Sequence, residues 1–75
     1  MGKIYVGSSG NRYKVMAWKI ADIRSHKQIW KYKVSIKFGK EWQRYPHAKY
    51  FDTPEEAEQE LEVFARRKGW SLCAE

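Results

Sequence analysis

Nine consecutive residues carry the clearest chemical signal in this chain: Trp30-Lys31-Tyr32-Lys33-Val34-Ser35-Ile36-Lys37-Phe38. Large apolar side chains take alternate positions, and those between them are Lys, Lys, Ser and Lys. A strand sends successive side chains to opposite faces, so one face here is apolar and the other is a row of ammonium groups spanning about 20 Å at ~3.3 Å per residue. Evenly spaced cations suit a phosphate backbone, where each neutralised phosphate releases condensed counterions. Lys40 in the following turn and Arg44 beyond it extend the row, while Arg12 and Lys14 are basic positions on an earlier segment of strand character. Ser35 and Gln43 have the hydrogen-bonding groups that could read base edges. The expected nucleic-acid-binding set is therefore Arg12, Lys14, Lys31, Lys33, Ser35, Lys37, Lys40, Gln43 and Arg44. Taken singly, any of these lysines is explained by a solvated sheet face that discourages edge pairing. Reversing the charge of Lys33 and Lys37 is expected to weaken binding at low salt without unfolding the domain.

The charge distribution favours the functional explanation. Twelve of the fifteen basic residues fall within the first 51 positions, where Asp22 and Glu41 alone oppose them. Residues 52–75 hold three basic and seven acidic side chains, so a net +10 faces a net −4 within the overall +6. Segregated charge creates a field that steers an oppositely charged partner. Duplex DNA is the favoured partner over single strands, because a two-stranded β ribbon can enter the major groove. An exposed aromatic among the cations (Trp18, Trp42, Tyr45 and Tyr50 are the candidates) would instead make a stacking platform for single strands. The reading from another class is a protein–protein module, such as a small phage-type accessory or inhibitor docking an acidic protein surface.

Catalysis finds little support. His26 and His47 stand in polar or turn-like contexts with no Cys, Ser or acid at a recognisable spacing, and Cys73 lies near the end of the chain beside Glu75. No catalytic residue, metal site or cofactor is expected. The lone cysteine allows no internal disulfide and fits a reducing compartment. No apolar run approaches the ~20 residues of a membrane span, no signal peptide is visible, and Val6 stands where myristoylation after Met1-Gly2 would want Ser or Thr. The expectation is a cytoplasmic protein without a membrane partner; the oligomeric state is open.

The elements that must position these groups form one domain over residues 1–75, with a sheet over about 3–51 and a helix over about 54–68. Lys3 to Val6 suggests a short strand, closed by the turn cluster Gly7-Ser8-Ser9-Gly10-Asn11. Residues 12–20 form a second strand with apolar groups on both parities, which requires either two covered faces or a bulge. After residue 38, a two-residue loop would pair Phe38 with Glu41 and a three-residue loop would pair it with Trp42. The returning strand reaches toward Phe51 and is bulged or interrupted at Pro46, which cannot donate to a ladder. Thr53-Pro54-Glu55-Glu56 is a capping box with proline at the first helical position. Ala57, Leu61, Phe64 and Ala65 then make one apolar stripe, and Gly69 is a left-handed stop. Trp70-Ser71-Leu72 either folds back as a final short strand or packs its tryptophan under the helix. The fold class is α+β: an antiparallel meander of three to five strands packed on one C-terminal helix, in two layers.

Residues 30–68 give this plan a likeness. A Tyr-, Lys- and Val-rich strand, a tight turn, a second strand and then Tyr50-Phe51-Asp52-Thr53-Pro54-Glu55-Glu56-Ala57 opening a helix resembles the arm-type DNA-binding domain of tyrosine recombinases. It is similar also to the AP2-type domain of plants. The resemblance implies a three-stranded sheet backed by a helix and inserted in the major groove, with Lys31, Lys33, Ser35, Lys37, Arg44, Arg12 and Lys14 at the DNA. The extra leading strand, the ending at Gly69-Trp70 and the absence of a catalytic recombinase domain depart from that pattern.

Overall fold

The computed structural model describes residues 3–73; Met1, Gly2 and Glu75, named above, lie outside them. The chain forms β1 (Tyr5–Val6), β2 (Arg12–Ala21), β3 (Gln28–Phe38), β4 (Glu41–Arg44), α1 (Pro54–Lys68) and β5 (Ser71–Leu72). One antiparallel sheet runs in the order β4-β3-β2-β1-β5, with the helix packed across one face. The α+β, two-layer expectation holds.

The central ladder pairs ten residues of β2 with ten of β3 without a break, from Arg12↔Lys37 to Ala21↔Gln28. The two-parity pattern of β2 involves no bulge: Tyr13 and Val15 are buried under the helix, while Met16, Trp18 and Ile20 are half-buried on the face it leaves open. Beyond Phe38 the chain turns through Gly39-Lys40 alone, pairing Phe38 with Glu41. Gly39 takes φ 61° while Lys40 does not share a positive φ. A positive first central residue alone marks a type II′ turn, which only glycine enters without strain and which matches strand twist. Regular pairing of β4 ends at Arg44, and the chain loops outward through Pro46 before Phe51 rejoins the sheet opposite Tyr32. That is the interruption the proline demands.

The helix starts where its capping chemistry lies. The Glu56 amide donates to Thr53 Oγ1 at 3.4 Å, and Pro54 stands in the first turn. It ends at Gly69 with φ 72°, whose amide bonds to the Ala65 carbonyl. Ala57, Leu61 and Ala65 are buried against Tyr13, Val15, Val34 and Ile36 of the sheet. Beside them an aromatic group closes the core: Trp70 stacks flat on Tyr13, with centroids 3.6 Å apart, and Tyr45 meets Tyr13, Phe64 and Trp70 edge-on. Gly7 is buried, and a Cβ there would come within 3.1 Å of the Tyr13 ring. Both readings of the C-terminal segment are true together, since Ser71–Leu72 pairs with β1 while Trp70 packs inside.

The apolar parity of β3 is only partly core. Val34 and Ile36 are buried, but Trp30 is 60% exposed and Phe38 51% exposed. A 15-residue helix is about 22 Å long, whereas an 11-residue strand reaches ~36 Å. The ends of β3 overhang their cover.

Candidate nucleic-acid interface

The sheet register decides what the second face presents. Tyr13, Val15, Val34 and Ile36 point to the helix, so the opposite parity carries Arg12, Lys14, Met16 and Trp18 on β2 and Lys31, Lys33, Ser35 and Lys37 on β3. Pairing extends the rows onto β4: Trp42 stands beside Lys37, and Arg44 beside Ser35. No strand position on this face, among the described residues, is a carboxylate; Glu41 pairs with Phe38 and belongs to the other parity.

This face is a cation–aromatic layer rather than a bare row of lysines. Lys14 Nζ lies 4.5 Å from the centre of the Trp42 ring, Lys33 Nζ 4.5 Å from that of Tyr50, and the Arg44 guanidinium 5.3 Å from that of Trp18. Arg44 also donates to the Tyr50 hydroxyl at 3.0 Å. Each ring offers its negative face to a cation, a contact contributing roughly 0.5–1 kcal/mol at exposed positions and more when desolvated. The rings hold Lys14 and Arg44 in place and bring no counter-charge to them.

Two residues of the expected set are not available as surface groups. Ser35 is fully buried: its hydroxyl accepts from Trp18 Nε1 at 2.8 Å and donates to the Lys33 carbonyl at 3.1 Å. It fixes the Trp18 ring over the strand and cannot read a base edge without displacing that ring. Lys33 is only 8% exposed, its stem covered and its ammonium directed at Tyr50. Charge reversal there attacks the fold, contrary to the expectation that Lys33 and Lys37 would behave alike. Gln43 pairs with Ile36 and so projects from the helix-side parity, away from Lys37 and Arg44. Lys31 is on the cationic face but engaged, forming an ion pair with Asp52 just ahead of the helix. Arg12 and Arg44 are exposed, Lys14 and Lys37 half-buried, and Lys40 projects from the β3–β4 turn. Arg12 and Lys37 are directly paired and line one polar cleft with Gly10, Asn11 and Gly39.

The residues missing from the sequence-derived set are the aromatic supports Trp18, Trp42 and Tyr50. Of the four rings whose place was open, only Tyr45 went into the core. The opposite layer of the molecule is acidic: Glu55 and Glu56 lie in the first turn of α1, and Glu62 pairs with Lys3 at 2.8 Å. The hydrogen-bonded Lys3 ammonium holds the Glu62 carboxyl below its ordinary range, and Glu62 in turn raises Lys3.

His26 is exposed in the β2–β3 loop, His47 sits against the Tyr45 ring, and Cys73 lies beside Ile4 at the sheet edge. Among the described residues no group of three or more His, Cys, Asp and Glu side chains could hold a metal ion. No helix among the described residues is long and apolar enough to cross a membrane. Comparison with family models, curated proteins and solved structures gives no match. The functional reading therefore rests on the geometry of this face.

Proposed function

We propose that the protein binds nucleic acid, duplex DNA in the first place, through the sheet face that the helix leaves uncovered. The observation carrying this reading is the convergence of Arg12, Lys14, Lys37 and Arg44 on one face whose strands bear no carboxylate, with Lys40 at its rim. Strands β2, β3 and β4 span about 10 Å from first axis to last. That width suits the ~12 Å major groove of B-form DNA. In this arrangement Arg12, Lys14, Lys37, Lys40 and Arg44 neutralise phosphates along both walls. Ring-held cations favour binding because little side-chain freedom is left to lose on contact. The plan of the arm-type recombinase domain, three antiparallel strands backed by a helix, is also the plan of β2, β3, β4 and α1, and this supports the groove mode.

Gel retardation of a duplex across a salt series tests the reading. The expected result is retardation at low salt that weakens steeply as salt rises, with single strands bound less well. Retardation at no salt concentration would overturn it and transfer the face to an acidic protein partner.

A further inference from the structure

The β2–β3 hairpin continues past the body of the domain and ends in apolar groups. Ile20 and Ile29 pair directly, on the same parity as Trp18 and Lys31, so they cap the cationic face at its distal end. Ile23 in the connecting loop is 88% exposed, and Trp30 is largely exposed on the other parity. Isolated surface isoleucines need no explanation, but Ile20, Ile23 and Ile29 line one shallow cavity at the hairpin end.

The loop holding Ile23 has a fixed shape. The Asp22 amide donates to the Lys27 carbonyl at 2.8 Å, and the His26 amide to the Asp22 carbonyl at 2.9 Å. The Asp22 carboxylate accepts from the Arg24 amide at 3.1 Å and the Ser25 hydroxyl at 3.0 Å. The one acidic group of the loop is thus tied to its own turn, while Arg24 and Lys27 are left outside. A rigid apolar point flanked by cations fits a partner that is anionic outside and apolar within.

We infer that this hairpin end is a wedge: Ile23, backed by Ile20 and Ile29, enters a base step of the bound duplex and kinks it. The inference rests on the proposed duplex binding and adds to it a deformation of the DNA. Apolar side chains inserted between base steps unstack and kink a duplex, by about 20–90° in minor-groove binders. An anionic lipid surface shares the same chemistry, but the cation layout disfavours it. The Arg12–Lys37 row lies eight residues from Ile20, about 26 Å along the strand. A bilayer entered end-on by the tip would leave that row beyond the ~8 Å screening length, whereas a duplex laid along the face meets both.

The test uses the full chain and a duplex of about 30 bp labelled at its ends with a donor and an acceptor dye. Wild-type protein should raise energy transfer on binding. Ile23→Ser, at a surface position, should keep duplex affinity within about tenfold while transfer stays at the free-duplex value. Retardation without any rise in transfer, or equal transfer with Ile23→Ser, overturns the wedge and leaves duplex binding standing. Absence of retardation overturns the binding proposal and the wedge with it. Sedimentation with phosphatidylserine vesicles that is lost in Ile23→Ser, with duplex shape unaffected, assigns the tip to a lipid surface and likewise overturns the wedge.

Discussion

Replacing Lys37 and Lys40 together by alanine isolates the electrostatic part of the proposed interface. Neither ammonium is held in an ion pair among the described residues, so their removal leaves the cation–aromatic layer intact. With Lys31 paired to Asp52 and Lys33 buried, the cations left for phosphate are Arg12, Lys14, Lys37, Lys40 and Arg44. If each neutralises one phosphate, these five contribute about −4.5 to the slope of log affinity against log salt, and about −2.7 in the double variant, Arg24 and Lys27 at the hairpin tip adding equally to both. Between roughly 50 and 200 mM salt this face then accounts for about 500-fold loss of affinity in the parent and about 40-fold in the variant. Fluorescence anisotropy of a labelled duplex at several salt concentrations measures both slopes. Arg66→Ala with Arg67→Ala, at the exposed end of α1, is the control and should keep the parent slope. Equal slopes for parent and Lys37/Lys40 variant, or a reduced slope in the helix variant, would refute the assignment of the face.

Three further outcomes follow from the same geometry. Lys33→Glu puts a carboxylate at a nearly closed position facing the Tyr50 ring; it should cost about 3 kcal/mol in urea denaturation, while Lys37→Glu stays within about 0.5 kcal/mol. Ser35→Ala removes the acceptor of Trp18 Nε1 in a half-buried setting, and about 1–3 kcal/mol should be lost, with a shift in tryptophan emission as the ring is freed. The Glu62 carboxyl is lowered mainly by its hydrogen bond from Lys3, so its stabilising increment is present above the ordinary carboxylate range and disappears as pH falls through the lowered value. Lys3→Met should move the Glu62 titration midpoint, followed by NMR, back up; an unmoved midpoint would show that the pair does not persist in solution.

Much of the architecture was legible because its determinants are local. The alternation of residues 30–38, the capping residues Thr53 and Pro54, the stop at Gly69 and the break at Pro46 each act within a few positions along the chain. The second face was harder to see. That Ser35 would be fully buried depends on Trp18, seventeen residues away, and that Lys33 would be covered depends on Tyr50 beyond the interrupted strand. Lysine in an alternating pattern looks solvated until an aromatic from another strand is placed over it. Trp30 and Phe38 share the apolar parity of the buried Val34 and Ile36, yet both are exposed; their exposure follows from the difference in length between helix and hairpin, which no pattern within the strand encodes. Gln43 was misplaced for a third reason. Its face depends on whether the β3–β4 loop has two or three residues, and one residue of register exchanges the two sides of a strand.

The pairing of Tyr5 with Leu72 joins strands from the two extremes of the described chain. The residues of β1 precede every other element in the chain, yet its outer neighbour follows the whole helix. The tryptophan that seals the hydrophobic interior belongs to the same late segment, since Trp70 lies on Tyr13. A ribosome-bound fragment ending at Lys68 would have every cation of the proposed face and still lack the residues that lock the sheet beneath it. The geometry thus makes the arrival of residues 70–72, rather than that of the basic strands, the event that closes this domain.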